Sequence, residues 1–375
     1  MKNINLASVA FIIMIGLFLS CKDNNDPGPF TGGNNNGTNS SIDSTSNNDD
    51  SNNSNEWLIN VDEVYDGGPG KDGIPSIDAP KFLDASYINF LDDDDLVIGY
   101  ADNGEFRAFP HQILDWHEIV NDQSETIKLS IIYCPLTGTA TAWDRNTSAG
   151  LTTFGVSGLL YNTNVIPYDR NTDSNWSQIY LKAVNGALAG EEAKLFPIIE
   201  TTWKTWRTMY PDSRVLSRNT GYDRNYDNYP YGNYKTDHDM ILFPVSETDD
   251  RLNAKDRVLS VIFDETAKAY PIKVFNNGIS VIQDNSFQNI VVVGSQEHNF
   301  AVAFKNSTVD GTSLNFTPIN NQLPLVMEDD EGSKWDVFGE AREGPRTGEK
   351  LAYPAQMIGY WFSFPSFYED LKLYE

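Results

Sequence analysis

Cys134 is the one cysteine left once Cys21 is assigned to a lipid anchor, and two of the four histidines stand close before it. They lie in Phe109-Pro110-His111-Gln112-Ile113-Leu114-Asp115-Trp116-His117-Glu118, upstream of Tyr133-Cys134-Pro135-Leu136-Thr137-Gly138. Imidazole with thiolate suits a transition metal such as copper, zinc or iron, with His111, His117 and Cys134 as the ligand set. The same pair suits a thiol nucleophile whose pKa a histidine lowers, as in Cys–His hydrolysis. A third reading is equally open: a free cysteine at a strand end is commonly a small, inert core group.

These residues need elements to position them. Pro110 predicts a helix start, because its missing N–H costs nothing there, and the pattern runs to about Val120. On that helix His111, Asp115 and Glu118 share one face, while His117 falls with Ile113, Leu114 and Val120 on the apolar face. That division argues against a simple three-ligand centre. It makes His117 a buried imidazole bonded to a backbone carbonyl, with Asp115 and Glu118 on a solvated face or supporting His111. His111, in the first turn, is expected to be neutral, as a general base or metal ligand must be. A second helix is expected from about Glu200 to Tyr210.

A separate candidate surface runs from Gly221 to Tyr234. Tyr222, Arg224, Tyr226, Tyr229 and Tyr231 stand there among turn-forming residues, and ring faces beside Asp, Asn and Arg suit a glycan, a small molecule or a protein partner. The plainer reading pins these rings over the core. Two other motifs fail on spacing. Gly155-Val156-Ser157-Gly158 places its second glycine one residue too early for a nucleophile elbow, and Asp92 to Asp95 lacks the alternation of a calcium loop.

Short β-branched or aromatic runs bounded by Gly, Asn, Asp and Pro predict strands at 96–101, 105–109, 127–133, 139–143 and 151–156. A second series is predicted at 257–263, 267–270, 279–283, 290–293 and 300–304. The two series echo each other about 161 residues apart: Asp95-Leu96-Val97-Ile98 with Asp256-Arg257-Val258-Leu259, and Arg107-Ala108-Phe109-Pro110 with Lys268-Ala269-Tyr270-Pro271. Ser174-Asn175-Trp176 echoes Ser333-Lys334-Trp335. The expected fold is mainly β with a few helices (α+β), built as two tandem pseudo-repeats in a two-lobed body. Residues 56–250 form the first repeat, with the Cys/His site and the tyrosine loop, and 251–375 a degenerate second. Opposite His111, His117 and Cys134 the second copy has Ile272, Gly278 and Gly294, so the first copy alone carries the chemistry.

The address is written at the start. Lys2, the apolar run Leu6 to Leu19 and Phe18-Leu19-Ser20-Cys21 read as a lipoprotein signal peptide over 1–20, with lipidation at Cys21. Residues 21–55 are an Asn/Ser/Asp-rich tether too polar to fold. The lipid would be the only membrane anchor, placing the chain in the cell envelope at the outer membrane. A formal charge of −26 argues against nucleic acid.

Asp72-Gly73-Ile74-Pro75-Ser76-Ile77-Asp78, the segment 110–122, Tyr133-Cys134-Pro135-Leu136 and Phe154-Gly155-Val156-Ser157-Gly158-Leu159-Leu160-Tyr161-Asn162 together carry a resemblance. Tyr168-Asp169-Arg170 and Ser174-Asn175-Trp176-Ser177-Gln178 extend it. The chain resembles the bacterial and archaeal domain-of-unknown-function 3179 family from about Asp72 onward, which implies an exported domain and no known activity. Many members carry a second cysteine three residues after the first, where Thr137 stands here. The resemblance therefore puts dithiol redox cycling in doubt, whereas a single-thiol ligand survives.

Overall fold

The computed structural model describes residues 56–102, 104–124, 128–308 and 310–375; the signal segment, Cys21 and the tether lie outside them. The described chain is mainly β, with several small sheets and two α-helices, α1 (His111–His117) and α2 (Trp203–Met209). Leu96–Asp102 pairs antiparallel with Ile198–Thr202 and Glu105–Pro110, and Arg214–Leu216 then runs parallel to Glu105–Pro110. The same order recurs later. Arg257–Phe263 pairs antiparallel with Ala355–Tyr360 and Thr266–Pro271, and Lys372–Leu373 runs parallel to Thr266–Pro271.

Each of these sheets leads into an antiparallel meander: Ile119–Gln123, Lys128–Cys134 and Thr139–Asp144 in one case, Ser280–Asp284, Ile290–Ser295 and Phe300–Lys305 in the other. An ion pair ties sheet to meander both times, Arg107 to Asp122 and Lys268 to Asp284, each at 2.5 Å. Further antiparallel strands follow, and in each set an indole N–H donates to a carboxylate. Trp176 bonds Asp169 at 3.2 Å and Trp335 bonds Asp329 at 2.9 Å.

Packing does not divide the chain at residue 250. Of the four apolar clusters, one joins Trp143 and Trp176 to Trp361 and Phe364, and another joins Val97, Trp203 and Trp206 to Val291, Phe300 and Trp335. Each buried ring removes apolar surface from water at about 25 cal/mol per Å², so the halves stabilise one another rather than standing as separate cores. Gly99 shows how close this packing is: a Cβ there would lie 2.0 Å from the Trp206 ring, so α2 can settle on the sheet only over a glycine.

Both helices are shorter than their sequence patterns predict. At the end of α1, Glu118 turns the chain with φ of 57°, and Ile119 enters the meander. Glu200 lies in strand Ile198–Thr202 rather than in the second helix; Thr202 caps α2, its hydroxyl accepting from the Thr205 N–H. Residues 217–256 hold no helix or strand. No helix among the described residues is long and apolar enough to cross a membrane.

Candidate functional site

Strand Glu105–Pro110 ends at a proline in extended conformation and hands directly to α1, so His111 is fixed at the sheet's edge. His111 and Asp115, one turn apart, both point into the protein and are 6% and 5% exposed. The solvated face expected for Asp115 and Glu118 is thus corrected: both are buried, because the chain beyond Leu216 folds over them. The His111 ring stands 4.5 Å from the Tyr133 ring, centroid to centroid. Its Nε2 lies 3.7 Å from Oε2 of Glu200, contributed by strand Ile198–Thr202. Arg257, the first residue of its strand, donates to the other oxygen of Glu200.

The charges in this cluster follow from burial. Desolvation, then Lys235 and Arg257, hold His111 neutral by pushing its pKa well below the usual imidazole value. Burial raises Asp115 to about 6, although Lys235, 2.8 Å away, and the Tyr133 hydroxyl pull it back. Burial and then Asp115 raise Glu118 to about 8, so its carboxyl carries a proton at neutral pH. Glu118 is also one of the positive-φ residues, a conformation that costs a non-glycine about 1–3 kcal/mol and gathers at functional sites.

Among the described residues, His111 Nε2, Asp115 Oδ1 and Glu200 Oε2 are buried with no hydrogen-bond partner. Folded chains seldom leave such atoms unpaired, since each costs about 1–3 kcal/mol. Three of the twelve such atoms among the described residues fall in this cluster.

The tyrosine loop covers this cluster. Lys235 reaches from the loop to Asp115 and also lies 4.2 Å from the Tyr229 ring centroid. Tyr229 and Tyr231 pack at 5.5 Å, and the nearby Asp115 charge helps raise both phenol pKa values beyond the effect of burial. Tyr234 donates to the Leu136 carbonyl at 2.9 Å. Only Tyr222 of the four expected binding tyrosines is largely exposed, at 44%, while Tyr226 is buried. Arg224 spends a guanidinium N–H on the Asp223 carbonyl. The rings therefore close over the core instead of offering an open platform.

His117 is not a ligand in this arrangement. Its Nδ1 meets the Pro75 carbonyl and its Nε2 the Tyr226 hydroxyl, each at 2.7 Å, so both nitrogens are engaged. No group of three or more His, Cys, Asp or Glu side chains that could hold a metal occurs among the described residues, so the His111–His117–Cys134 set expected for copper, zinc or iron is not assembled. Cys134 sits within an apolar cluster, its sulfur 3.8 Å from the Thr163 carbonyl oxygen. Burial and then Glu118 push its thiol up to about 11, the opposite of an activated nucleophile. Iodoacetamide at pH 8 should accordingly leave Cys134 unmodified in the native protein and modify it fully in denaturant; rapid native labelling, read by intact mass, would refute the sealed thiol.

Sequence reasoning missed Glu200, Arg257, Lys235 and Lys255. The Lys255 ammonium is buried without a hydrogen-bond partner among the described residues, 3.3 Å from the Tyr234 ring centroid and 4.4 Å from that of Phe362, and burial lowers it to about 7. A surface cleft of about 1020 Å³ lined by Tyr161, Tyr180, Arg251 and Phe367 shares none of these residues.

The described chain is a β-rich domain with a buried polar cluster at His111, Asp115 and Glu200. Compared with known families, residues 71–371 match the model described as Protein of unknown function (DUF3179), and the chain belongs to that family. No curated protein and no solved structure matches it.

Proposed function

We propose that this chain is an envelope-tethered protein that binds a small polar molecule in the closed space bounded by His111, Asp115 and Glu200. The observation that carries this reading is the set of three buried, unpartnered polar atoms those residues bring together. The loop 217–256 acts as the cover, since Lys235 supplies the counter-ion of Asp115 and the tyrosines exclude water. Opening that loop is the route of entry. Cys134 is a packing residue near the site and not its reactive group.

The tether belongs to the same proposal: lipidation at Cys21 would hold the domain at the outer membrane, with residues 21–55 as the spacer. So does the duplication. The matching sheet orders, ion pairs and indole–carboxylate bonds support one ancestral unit copied in tandem, its halves packed through shared cores. Taking Asp122 as the counterpart of Asp284, Gly294 corresponds to Tyr133 by strand pairing, one residue off the sequence echo that sets it against Cys134, and Ile358 corresponds to Glu200. Where the second half is apolar or bare, the first half carries the polar site.

A thermal-shift screen of polar metabolites on the full chain, beside His111→Ala, tests the reading. Compounds that raise the melting temperature of the wild type and leave the variant unmoved are expected, because a guest bound only to the native state stabilises it by mass action. A screen in which every hit acts equally on both proteins, or in which none acts, would sink it.

A further inference from the structure

We infer that the guest of this site is a neutral, polyhydroxylated small molecule that donates hydrogen bonds to Asp115 Oδ1 and Glu200 Oε2. The inference deepens the proposed function and rests on it. Each carboxylate is already half committed, Asp115 through Oδ2 to Lys235 and Glu200 through Oε1 to Arg257. Each therefore keeps one buried oxygen without a hydrogen-bond partner. A carboxylate oxygen can only accept, so the guest must supply O–H or N–H donors.

Charge narrows the class further. An anionic guest would face two carboxylate oxygens in a dry interior, where like charges are repelled far more strongly than in water. A cationic guest would add a charge that nothing remains to neutralise, because Lys235 and Arg257 already balance both carboxylates. A neutral donor-bearing molecule meets neither penalty. Adjacent hydroxyls of a polyol, each both donor and acceptor, suit two groups as close as His111 Nε2 and Glu200 Oε2, at 3.7 Å. The Tyr229 ring, held near Asp115 by Lys235, offers a face for the C–H surface that a polyol carries between its hydroxyls.

Isothermal titration of the full chain at neutral pH, with glucose and myo-inositol as neutral polyols, ethanolamine as cation, and acetate and phosphate as anions, tests this assignment. At least one polyol should bind, and Glu200→Gln and Asp115→Asn should each weaken it tenfold or more while keeping the wild-type near-UV circular dichroism. Binding of acetate or phosphate that Glu200→Gln strengthens would overturn the donor class and leave the site itself standing. Binding of ethanolamine alone, or of no probe, would likewise overturn the class, while the metabolite screen still decides the site. Polyol binding that both variants leave unchanged would remove site and class together.

Discussion

Replacing Arg257 with methionine should lower the stability of the folded chain by about 3–5 kcal/mol, the cost of leaving a buried charge without its partner. Among the described residues Arg257 is the one cation bonded to Glu200, whose side chain is 3% exposed, and it also donates to Asn299 across to the second meander. Glu200 would then have to ionise unpaired or take up a proton, and either route is unfavourable. The double variant Glu200→Leu with Arg257→Met should recover most of the loss, since an apolar pair of similar volume needs no hydrogen-bond partner. Urea midpoints of the four proteins in the cycle measure this directly. A double variant as unstable as Arg257→Met alone would make the ion pair a structural strut, not part of a site that the fold maintains at a cost.

The second large effect is a pH slope. Burial and then Asp115 disfavour the charge of Glu118 and push its carboxyl up to about 8 from an ordinary 4.5. An acid whose folded pKa is raised stabilises the fold below its unfolded pKa, and that contribution is lost as pH rises toward the folded value. At roughly 1.4 kcal/mol per pH unit the window from 4.5 to 8 is worth about 5 kcal/mol. Glu118→Gln, which mimics the protonated acid, should match the wild type near pH 4 and exceed it by several kcal/mol at pH 9. His117 adds the opposite slope at the acid end. Its pKa is lowered to about 4 from 6.5, chiefly by burial, so stability falls as pH drops through that interval. Parallel stability profiles for wild type and Glu118→Gln between pH 5 and 9 would show that Glu118 is ionised in the native state.

Much of the β framework was legible because its strands are β-branched runs with clear stops. Arg257–Phe263 has the bounds that the pattern predicts, and Leu96–Asp102 is one residue longer. Some strands that escaped are short, such as Asn175–Ser177 and Ala341–Glu343, where pairing with neighbours decides the conformation and no period can register, but the six-residue Asn164–Asp169 and Ala355–Tyr360 escaped as well. Segment Glu200 to Tyr210 misled for a related reason. Its helix is real from Trp203, but Glu200 belongs to a strand whose partner, Leu96–Asp102, lies a hundred residues earlier in the chain. Reading Glu200 as helical hid its direction and so its place beside His111.

At the site, His111 and Asp115 were legible from helical spacing, and His117 from its place on the apolar face. The weight given to Cys134 was misplaced: sulfur chemistry depends on the charge state of the thiol, which burial sets and composition does not reveal. The tyrosine loop and the His–Cys region looked like rival sites, yet the loop packs on the helix, with Lys235 reaching Asp115 at 2.8 Å. A segment of 40 residues without regular structure usually serves a binding or covering role, and that length was the available signal.

The most direct test is a crystal structure of the chain soaked with the tightest-binding polyol, resolved well enough to show ordered water. The account predicts density for the guest within hydrogen-bond distance of Asp115 Oδ1 and Glu200 Oε2, beneath Tyr229 and Lys235. Those two oxygens paired instead with protein groups, with the polyol seated elsewhere or absent, would contradict it.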